Sequence, residues 1–190
     1  MTQAPAQQKR APVRLANSNI SRLHHKAYVT DDQEATRHFY EDLVGLPLVA
    51  TWCERENLRG KERSYCHTFF GLTEGGALAF FQMADPKDKE QFRHKTDPMT
   101  LDHIALNVDE PTQMAIRQRL IEDGYDPATI RIHDHGYCVS LYTIDPNGII
   151  VEFARDTASF DEMADKRCVD AHSELKRWLA GDYTPNNTLR

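Results

Sequence analysis

The pattern of apolar and polar positions occurs twice along the chain. Residues 23–31 read LHHKAYVTD and residues 101–109 read LDHIALNVD, with Leu, His, Ala and Asp recurring 78 residues apart. Such alternation is typical of a strand that buries one face. A polar entry and a helical stripe of apolar residues follow each segment, and each stripe ends at a glycine, Gly45 or Gly124. The sequence therefore predicts an internal duplication.

Three further strands are predicted after each helix. They cover residues 48–53, 65–72 and 77–83 in the first half, and residues 129–133, 137–143 and 149–154 in the second half. Each half is thus predicted to be a βαβββ module that cannot bury both faces of its sheet alone. We expect an α+β fold in which the paired modules form one concave mixed sheet, with a C-terminal helix added.

The expected domain covers residues 20–156, with a segment on either side. In chain order we expect a disordered arm at 1–19, module one at 20–83, a charged linker at 84–100, module two at 101–156, and an amphipathic helix with a tail at 157–190.

Composition excludes several kinds of partner. The 190 residues carry 23 Lys and Arg against 29 Asp and Glu, a formal net charge of -6. No basic cluster offers the positive face that a nucleic acid needs, and no run of about 18 apolar residues predicts a membrane span. The first nineteen residues lack the apolar core of a secretory signal. We therefore expect a cytoplasmic protein with four reduced thiols, at Cys53, Cys66, Cys138 and Cys168.

Two histidines and one glutamate stand at related positions of the repeated strands. His25 and His103 are equivalent in the two repeats, so the duplication is expected to bring them together. Glu152 lies in the apolar run IIVEFA, where a carboxylate is costly to bury unless a positive group meets it. Each residue alone has a structural explanation. Together they form a two-histidine, one-carboxylate set, which suits Fe(II) or Mn(II) and leaves coordination positions free.

At these residues the sequence resembles the vicinal oxygen chelate superfamily, which includes glyoxalases, extradiol ring-cleaving dioxygenases and fosfomycin- and bleomycin-resistance proteins. The resemblance covers about residues 20–156. LHHKAYVTDDQEATRHFYEDLVGLPLV is similar to the first strand and helix of one module, and HDHGYCVSLYTIDPNGIIVEF to the last two strands of another. The second segment is close to the signature of type I extradiol dioxygenases, so the chain most resembles their single-domain members.

The resemblance implies roles for individual residues. Tyr142 would hydrogen-bond a metal-bound substrate oxygen, and His133 or His135 would assist proton transfer. The metal ligands that it implies are His25, His103 and Glu152.

The substrate side of the site is less well defined. A further active-site histidine of the family precedes the last strand of the first module, where this chain has glycine, so His67 is the candidate substitute. Aligning the turn glycines Gly76 and Gly148 places Phe80 opposite the glutamate ligand. Phe80 cannot ligate, and Gln82, two residues on, is a weak alternative. We therefore expect three protein ligands, with His67, Phe80 and Gln82 on the substrate side.

The expected function is extradiol cleavage of a catechol-like aromatic diol with O2. The expected cofactor is Fe(II), with Mn(II), Ni(II) or Zn(II) as other ions, and the expected assembly is a homodimer. A glyoxalase-like isomerase or lyase, a thiol-transferring resistance enzyme and a metal-free protein that sequesters a small molecule are the alternatives. An apolar wall for a flat substrate is offered by Phe69, Phe70, Phe80 and Phe81.

Overall fold

The computed structural model describes residues 20–93 and 101–187. The arm predicted at 1–19 lies outside the described residues, as do residues 94–100 of the predicted linker and residues 188–190 of the tail.

In the first module a short strand leads into a helix and then into three strands. α1 begins after Asp32, whose side chain accepts hydrogen bonds from two backbone amides, and its π-helical continuation ends at Gly45, where φ is +94°. The elements are β1 (His25–Val29), α1 (Gln33–Arg37) with its π-helical continuation (His38–Val44), β2 (Leu48–Leu58), β3 (Lys61–Gly71) and β4 (Ala77–Met83).

The second module repeats this order. Asp109 caps its helix as Asp32 caps the first, by accepting a hydrogen bond from the Thr112 backbone amide. The elements are β5 (His103–Asn107), α3 (Glu110–Glu122), a 3-10 turn (Pro127–Thr129), β6 (Arg131–Asp134), β7 (Cys138–Ile144), β8 (Ile150–Asp156) and the C-terminal helix α4 (Phe160–Leu179).

The segment between the modules contains a helix that the sequence pattern does not predict. This helix, α2 (Pro86–Phe92), carries the buried Asp88. The carboxylate of Asp88 is paired with Lys61 at 2.9 Å and with Arg63 at 3.0 Å, both from β3. The charge-rich segment predicted to be a linker therefore contains a helix, and the ion pairs of Asp88 hold this helix against the first sheet.

Each module forms its own four-stranded mixed sheet. The strand orders are β1-β4-β3-β2 and β5-β8-β7-β6, with β1 parallel to β4 and β5 parallel to β8. The predicted α+β fold, with two βαβββ modules and a C-terminal helix, is confirmed. Among the described residues every ladder joins strands of one module, so the strands make two sheets instead of one continuous sheet.

The β2–β3 hairpin is longer than the sequence predicts. β2 runs on to Leu58 and β3 begins at Lys61, so the charged residues of 54–58 and 61–63 are in strands. The two-residue turn consists of Arg59 and Gly60, with φ values of 54° and 80°. Positive φ at both positions matches the turn that fits the twist of a tight hairpin.

One face of each sheet is covered by helix, and these covered faces share one core. The Tyr40 ring packs on Phe70 and Phe80 of its own sheet, with ring centroids 5.6 and 4.9 Å away. Its hydroxyl donates to Oδ2 of Asp145, in the second module, at 3.0 Å. Tyr40 therefore joins the two halves through both apolar and polar contacts.

The helices of the two modules also contact each other directly. Nε of Arg119, on α3, donates to the backbone carbonyl of Leu43 at 2.6 Å, so it satisfies a carbonyl at the end of the π-helical segment. The Phe39 and Tyr125 rings meet at 6.0 Å across the same boundary. Because the helix-covered faces meet in this core, the open face of each sheet is turned away from it.

The C-terminal helix is amphipathic, as predicted, but has no buried residue. Within 20–93 and 101–187, no helix combines the length and the apolar character needed to cross a membrane. The large apolar side chains that α4 exposes are Val169, Leu175, Trp178 and Leu179.

The buried Tyr40 hydroxyl is expected to stabilise the contact between modules. Replacing Tyr40 with Phe removes one of the hydrogen-bond donors to the buried Asp145 carboxylate. We therefore expect the free energy of unfolding to fall by about 1–2 kcal/mol. Urea unfolding followed by circular dichroism measures the change. Tyr183, which is 63% exposed, provides the control, since Tyr183→Phe should leave stability unchanged. If Tyr40→Phe lowers the free energy of unfolding no more than Tyr183→Phe does, the Tyr40 hydroxyl does not stabilise the fold.

His38 is expected to make stability depend on pH. Its Nδ1 lies 2.9 Å from Asp42 and its Nε2 lies 2.8 Å from Asp123 in the second module, and hydrogen bonds to these carboxylates, the one to Asp42 foremost, raise the pKa of His38. A raised folded-state pKa stabilises the fold below the ordinary value of about 6.5, and the contribution is lost as pH rises through the folded value. His38→Gln should therefore lower the free energy of unfolding by about 0.5 kcal/mol at about pH 5 and not at about pH 9. A deficit that is the same at both pH values would contradict this linkage.

Candidate metal centre

The second module brings His103 and Glu152 together on its open face. β5 and β8 are parallel neighbours, and Ala105 pairs with Glu152, so His103 and Glu152 lie on the same side. His103 Nε2 lies 2.9 Å from Glu152 Oε2. The Glu152 side chain is only 9% exposed, whereas that of His103 is 40% exposed. A carboxylate that is buried in an apolar strand thus meets an imidazole that solvent can reach.

Hydrogen bonds fix the direction of both side chains. His103 Nδ1 lies 2.7 Å from the backbone carbonyl of Leu101, and a carbonyl only accepts, so Nδ1 carries a proton. On the carboxylate, the Ser140 hydroxyl donates to Oε1 and leaves Oε2 facing the imidazole. Nε2 and Oε2 lie 2.9 Å apart, a distance at which the two atoms share a proton or are ligands of one cation. The pair could therefore supply one nitrogen and one oxygen ligand to a divalent cation.

The residues predicted to act on a substrate border this pair. Tyr142 stands opposite Glu152 in the β7–β8 ladder, and its hydroxyl lies 3.1 Å from His135 Nε2. Burial, more than the nearby Glu152 carboxylate, raises the pKa of Tyr142. The His133 and His135 rings are 4.5 Å apart, but His133 is exposed. Of the two histidines, His135 is the one placed against Tyr142.

A cysteine that the sequence prediction omitted also belongs to this face. Cys138 alternates along β7 with Ser140 and Tyr142, which is the signal that could have found it. Its thiol is buried, and burial raises its pKa. In the described part of the chain, one group of three histidine, cysteine or carboxylate residues has donor atoms all within 4.8 Å of one another, and it is His135, Cys138 and Glu152.

The first module places His25 on its own open face, away from that group. The residue is exposed, its Nδ1 lies 2.7 Å from Nδ1 of His24, and its ring contacts Phe69 at 5.7 Å. His25, His103 and Glu152 do not form a cluster of this kind within the described chain. The duplication therefore gives the two histidines equivalent positions on separate sheets without bringing them together.

His67 lies on the same open face as His25. Its ring stacks on Phe81 at 3.6 Å and contacts Phe69 at 4.2 Å. Burial, and then the neighbouring His25, lowers the pKa of His67, which favours the neutral imidazole. The buried Nε2 of His67 has no hydrogen-bond partner within 20–93 and 101–187. His67 therefore presents a buried polar atom between two aromatic rings.

The register of the first sheet corrects the sequence alignment by one residue. Gly75, at φ +87°, corresponds to Gly148, at +80°. Ala27 pairs with Ala79 where Ala105 pairs with Glu152, so the first module has alanine at the place of the glutamate. The sequence alignment on Gly76 placed Phe80 at this position instead. Alanine, like phenylalanine, cannot bind a metal ion, so the prediction of three protein ligands does not depend on which glycine is aligned.

Phe80 and Gln82 lie on the other face of that sheet. Phe80 is fully buried in the core beneath Tyr40, and Gln82 Nε2 donates to the backbone carbonyl of Asp31 at 2.6 Å. Neither side chain shares the open face with His25, because residues 80 and 82 alternate with 79 and 81. Of the four phenylalanines expected to form an apolar wall, Phe70 is likewise in the core, and only Phe69 and Phe81 line the open face.

The comparisons with known proteins agree with this architecture. The model of the Glyoxalase/Bleomycin resistance protein/Dioxygenase superfamily matches residues 22–153. No curated protein matches the chain. A glyoxylase/bleomycin resistance protein/dioxygenase domain from Frankia sp. EAN1pec is 16% identical, with 73% of this chain and 94% of that one covered and a TM-score of 0.51.

A second solved structure is similar in fold. The fosfomycin resistance protein FosX from Listeria monocytogenes, complexed with Mn(II) and sulfate, is 15% identical, with 75% of this chain and 98% of that one covered and a TM-score of 0.50. The resemblance stated from the sequence is thereby confirmed, and the chain belongs to the Glyoxalase/Bleomycin resistance protein/Dioxygenase superfamily.

Proposed function

We propose that this protein is a metal-dependent dioxygenase that cleaves a catechol-like diol by the extradiol route. The observation that carries the proposal is the contact of His103 Nε2 with the buried Glu152 Oε2 at 2.9 Å. His25 is the third ligand, and the set of two imidazoles and one carboxylate suits Fe(II), with Mn(II), Ni(II) and Zn(II) as other ions.

In this proposal a second copy of the chain supplies His25. The modules of one chain share a core on their helix-covered sides, so the open face with His25 and the open face with Glu152 are both free to meet the faces of another copy. A two-fold dimer would place the first module of each copy against the second module of the other. Two equivalent centres would result, each with one histidine from one chain and a histidine and a glutamate from the other.

A metal ion with three protein ligands keeps coordination positions free for substrate and O2. This favours a reaction with O2 over chemistry at a site where protein ligands fill every position. Ala79 occupies the first-module place that matches Glu152, so this symmetry-related position supplies no fourth ligand. When bound, Fe(II) with free positions supplies a place where a diol and O2 meet and allows charge to pass between them.

The chain's own residues would orient the substrate and move its proton. Because burial raises the pKa of Tyr142, its phenol stays protonated and hydrogen-bonds a substrate oxygen. His135 Nε2, 3.1 Å from the Tyr142 hydroxyl, accepts the proton that the diol loses. Phe69 and Phe81 of the other copy provide a flat apolar wall, with the unpartnered Nε2 of His67 between them.

Activity is tested by anaerobic reconstitution with Fe(II), followed by oxygen uptake against a panel of catechols. Mn(II), the ion held by FosX, is reconstituted in parallel. We expect catechol-dependent oxygen uptake and loss of at least about 100-fold in Tyr142→Phe or His135→Gln, the size typical of a lost acid–base group. Turnover of a glutathione adduct without oxygen uptake would instead indicate a glyoxalase-like isomerase or lyase.

Metal binding is expected to require His103 and not His133. His103→Ala should lower bound Fe(II) to a small fraction of one ion per chain, since the ligand pair loses its nitrogen. The matched control is His133→Ala, which removes an exposed histidine of the same face. Metal content by atomic emission and thermal unfolding of both variants separate ligand loss from misfolding. A His103→Ala protein that keeps a full complement of iron would refute the assignment.

A mixing experiment decides whether two chains share each centre. His25→Ala and His103→Ala should each bind little metal alone. After the two variants are unfolded together and refolded, half of the dimers are mixed, and each mixed dimer regains one intact centre of two. We therefore expect about one quarter of the wild-type metal content. No recovery on mixing would show that each centre lies within one chain.

A further inference from the structure

Two cysteines outside the candidate metal centre stand side by side on the first sheet. Cys53 of β2 and Cys66 of β3 are direct partners in the antiparallel ladder. Side chains in such a pair have Cβ atoms about 4.5–5.5 Å apart, and a disulfide needs about 3.5–4.5 Å. Burial, and after it the neighbouring Cys53 thiol, raises the pKa of Cys66, as expected for two thiols that lie close together. A small approach of the two strands is therefore enough to join them.

The pair is accessible from solvent. Cys53 is exposed, Cys66 is half-buried, and both line a surface cavity of about 510 Å³. Arg55 and Lys89 line the same cavity together with one carboxylate, that of Glu54, so the lining carries one net positive charge. A small anionic disulfide of the glutathione type fits a cavity of this size and sign of charge.

The other two cysteines have different surroundings. Cys168 is exposed on α4, and Cys138 is buried next to Glu152 on the second sheet. Neither is the ladder partner of another cysteine. Cys168 is exposed like Cys53 but lies on a helix, so it serves as an internal control for simple accessibility.

We propose that Cys53 and Cys66 form a reversible cross-strand disulfide by exchange with a low-molecular-weight disulfide. Cys53, as a thiolate, attacks one sulfur of that disulfide, forms a mixed disulfide and releases one thiol. The Cys66 thiol then loses its proton and attacks the sulfur of Cys53, which releases the second thiol. The two protein thiols are oxidised, the small disulfide is reduced to two thiols, and the two protons pass to the departing thiolates.

The exposure of the two cysteines sets the order of attack. Burial, together with the neighbouring thiol, raises the pKa of Cys66, and Cys53 is the more exposed of the two. Cys53 is therefore the first nucleophile and Cys66 the resolving thiol.

The disulfide would act on the open face of the same sheet. The next ladder pair is Trp52 with His67, whose side chains point to that face. Among the strands of residues 20–93 and 101–187, β2 is an edge strand that pairs with β3. A covalent link at Cys53 and Cys66 would fix this edge directly beside His67.

The test exposes the reduced full-length protein to excess glutathione disulfide, followed by alkylation of the remaining thiols, intact-mass measurement and peptide mapping. We expect the wild type to lose two hydrogen atoms, to give one cross-linked peptide pair containing Cys53 and Cys66, and to recover on reduction. Cys66→Ser should accumulate a stable glutathione adduct on Cys53, and Cys53→Ser should leave Cys66 open to alkylation. Cys168→Ser is the matched control and should cross-link as the wild type does.

Two results would overturn the proposal. One is a wild-type protein that carries glutathione on Cys53 while Cys66 remains free for alkylation. The other is reaction at Cys168 with none at Cys53. Circular dichroism of the serine variants verifies that they are folded. The experiment needs no metal, so its outcome is independent of the proposed centre.

Discussion

Burial of a carboxylate inside an apolar strand is the constraint on which the site of this protein depends. Glu152 has apolar neighbours on both sides in sequence and is almost without solvent contact. Its two oxygens are nevertheless satisfied, one by the Ser140 hydroxyl and the other by the exposed ring of His103. A buried carboxylate held in this way is oriented in advance, so the strand would not have to rearrange for the proposed cation to bind.

The two modules have the same order of elements but different side chains at equivalent positions of their open faces. β1 and β5 carry a histidine at the same place, but the strand beside each of them carries alanine in one module and glutamate in the other. The helix-covered faces of the two modules share one apolar core, and the hydrogen bonds of Tyr40 with Asp145 and of Arg119 with the Leu43 carbonyl join them as well. What is left open is one histidine-bearing face per module. The first of these faces carries aromatic side chains around His67, and the second carries the Glu152 carboxylate.

The sequence predicts the module order, the ends of the helices at Gly45 and Gly124, and the faces of β1, β5 and β8, because these depend on local periodicity and on single residues. It places Phe80 and Gln82 on the wrong face of β4. It does not predict the full length of the β2–β3 hairpin, since the outer part of that hairpin is charged on both faces. Two adjacent glycines precede β4, and the strand register and backbone angles of the structure are needed to identify Gly75 as the counterpart of Gly148.

The separation of His25 from Glu152 has a different origin. Periodicity tells which face of a strand a residue occupies, but it does not tell which faces of two sheets meet. In this protein the apolar sides of the helices pack in one shared core, and this packing determines which faces of the two sheets are turned towards each other. Cys138 was overlooked for a related reason, because a cysteine on a strand is ordinarily read as a small apolar residue.

Because position 79 is alanine, the proposed centre has a single carboxylate ligand, and this determines its net charge. Two neutral imidazoles and a single carboxylate would cancel only one of the two charges of a divalent ion. A ligand that carries one negative charge would neutralise the remaining charge, whereas an uncharged ligand or a dianion would leave a net charge at the partly buried centre. A diol that has given up one proton has the matching charge.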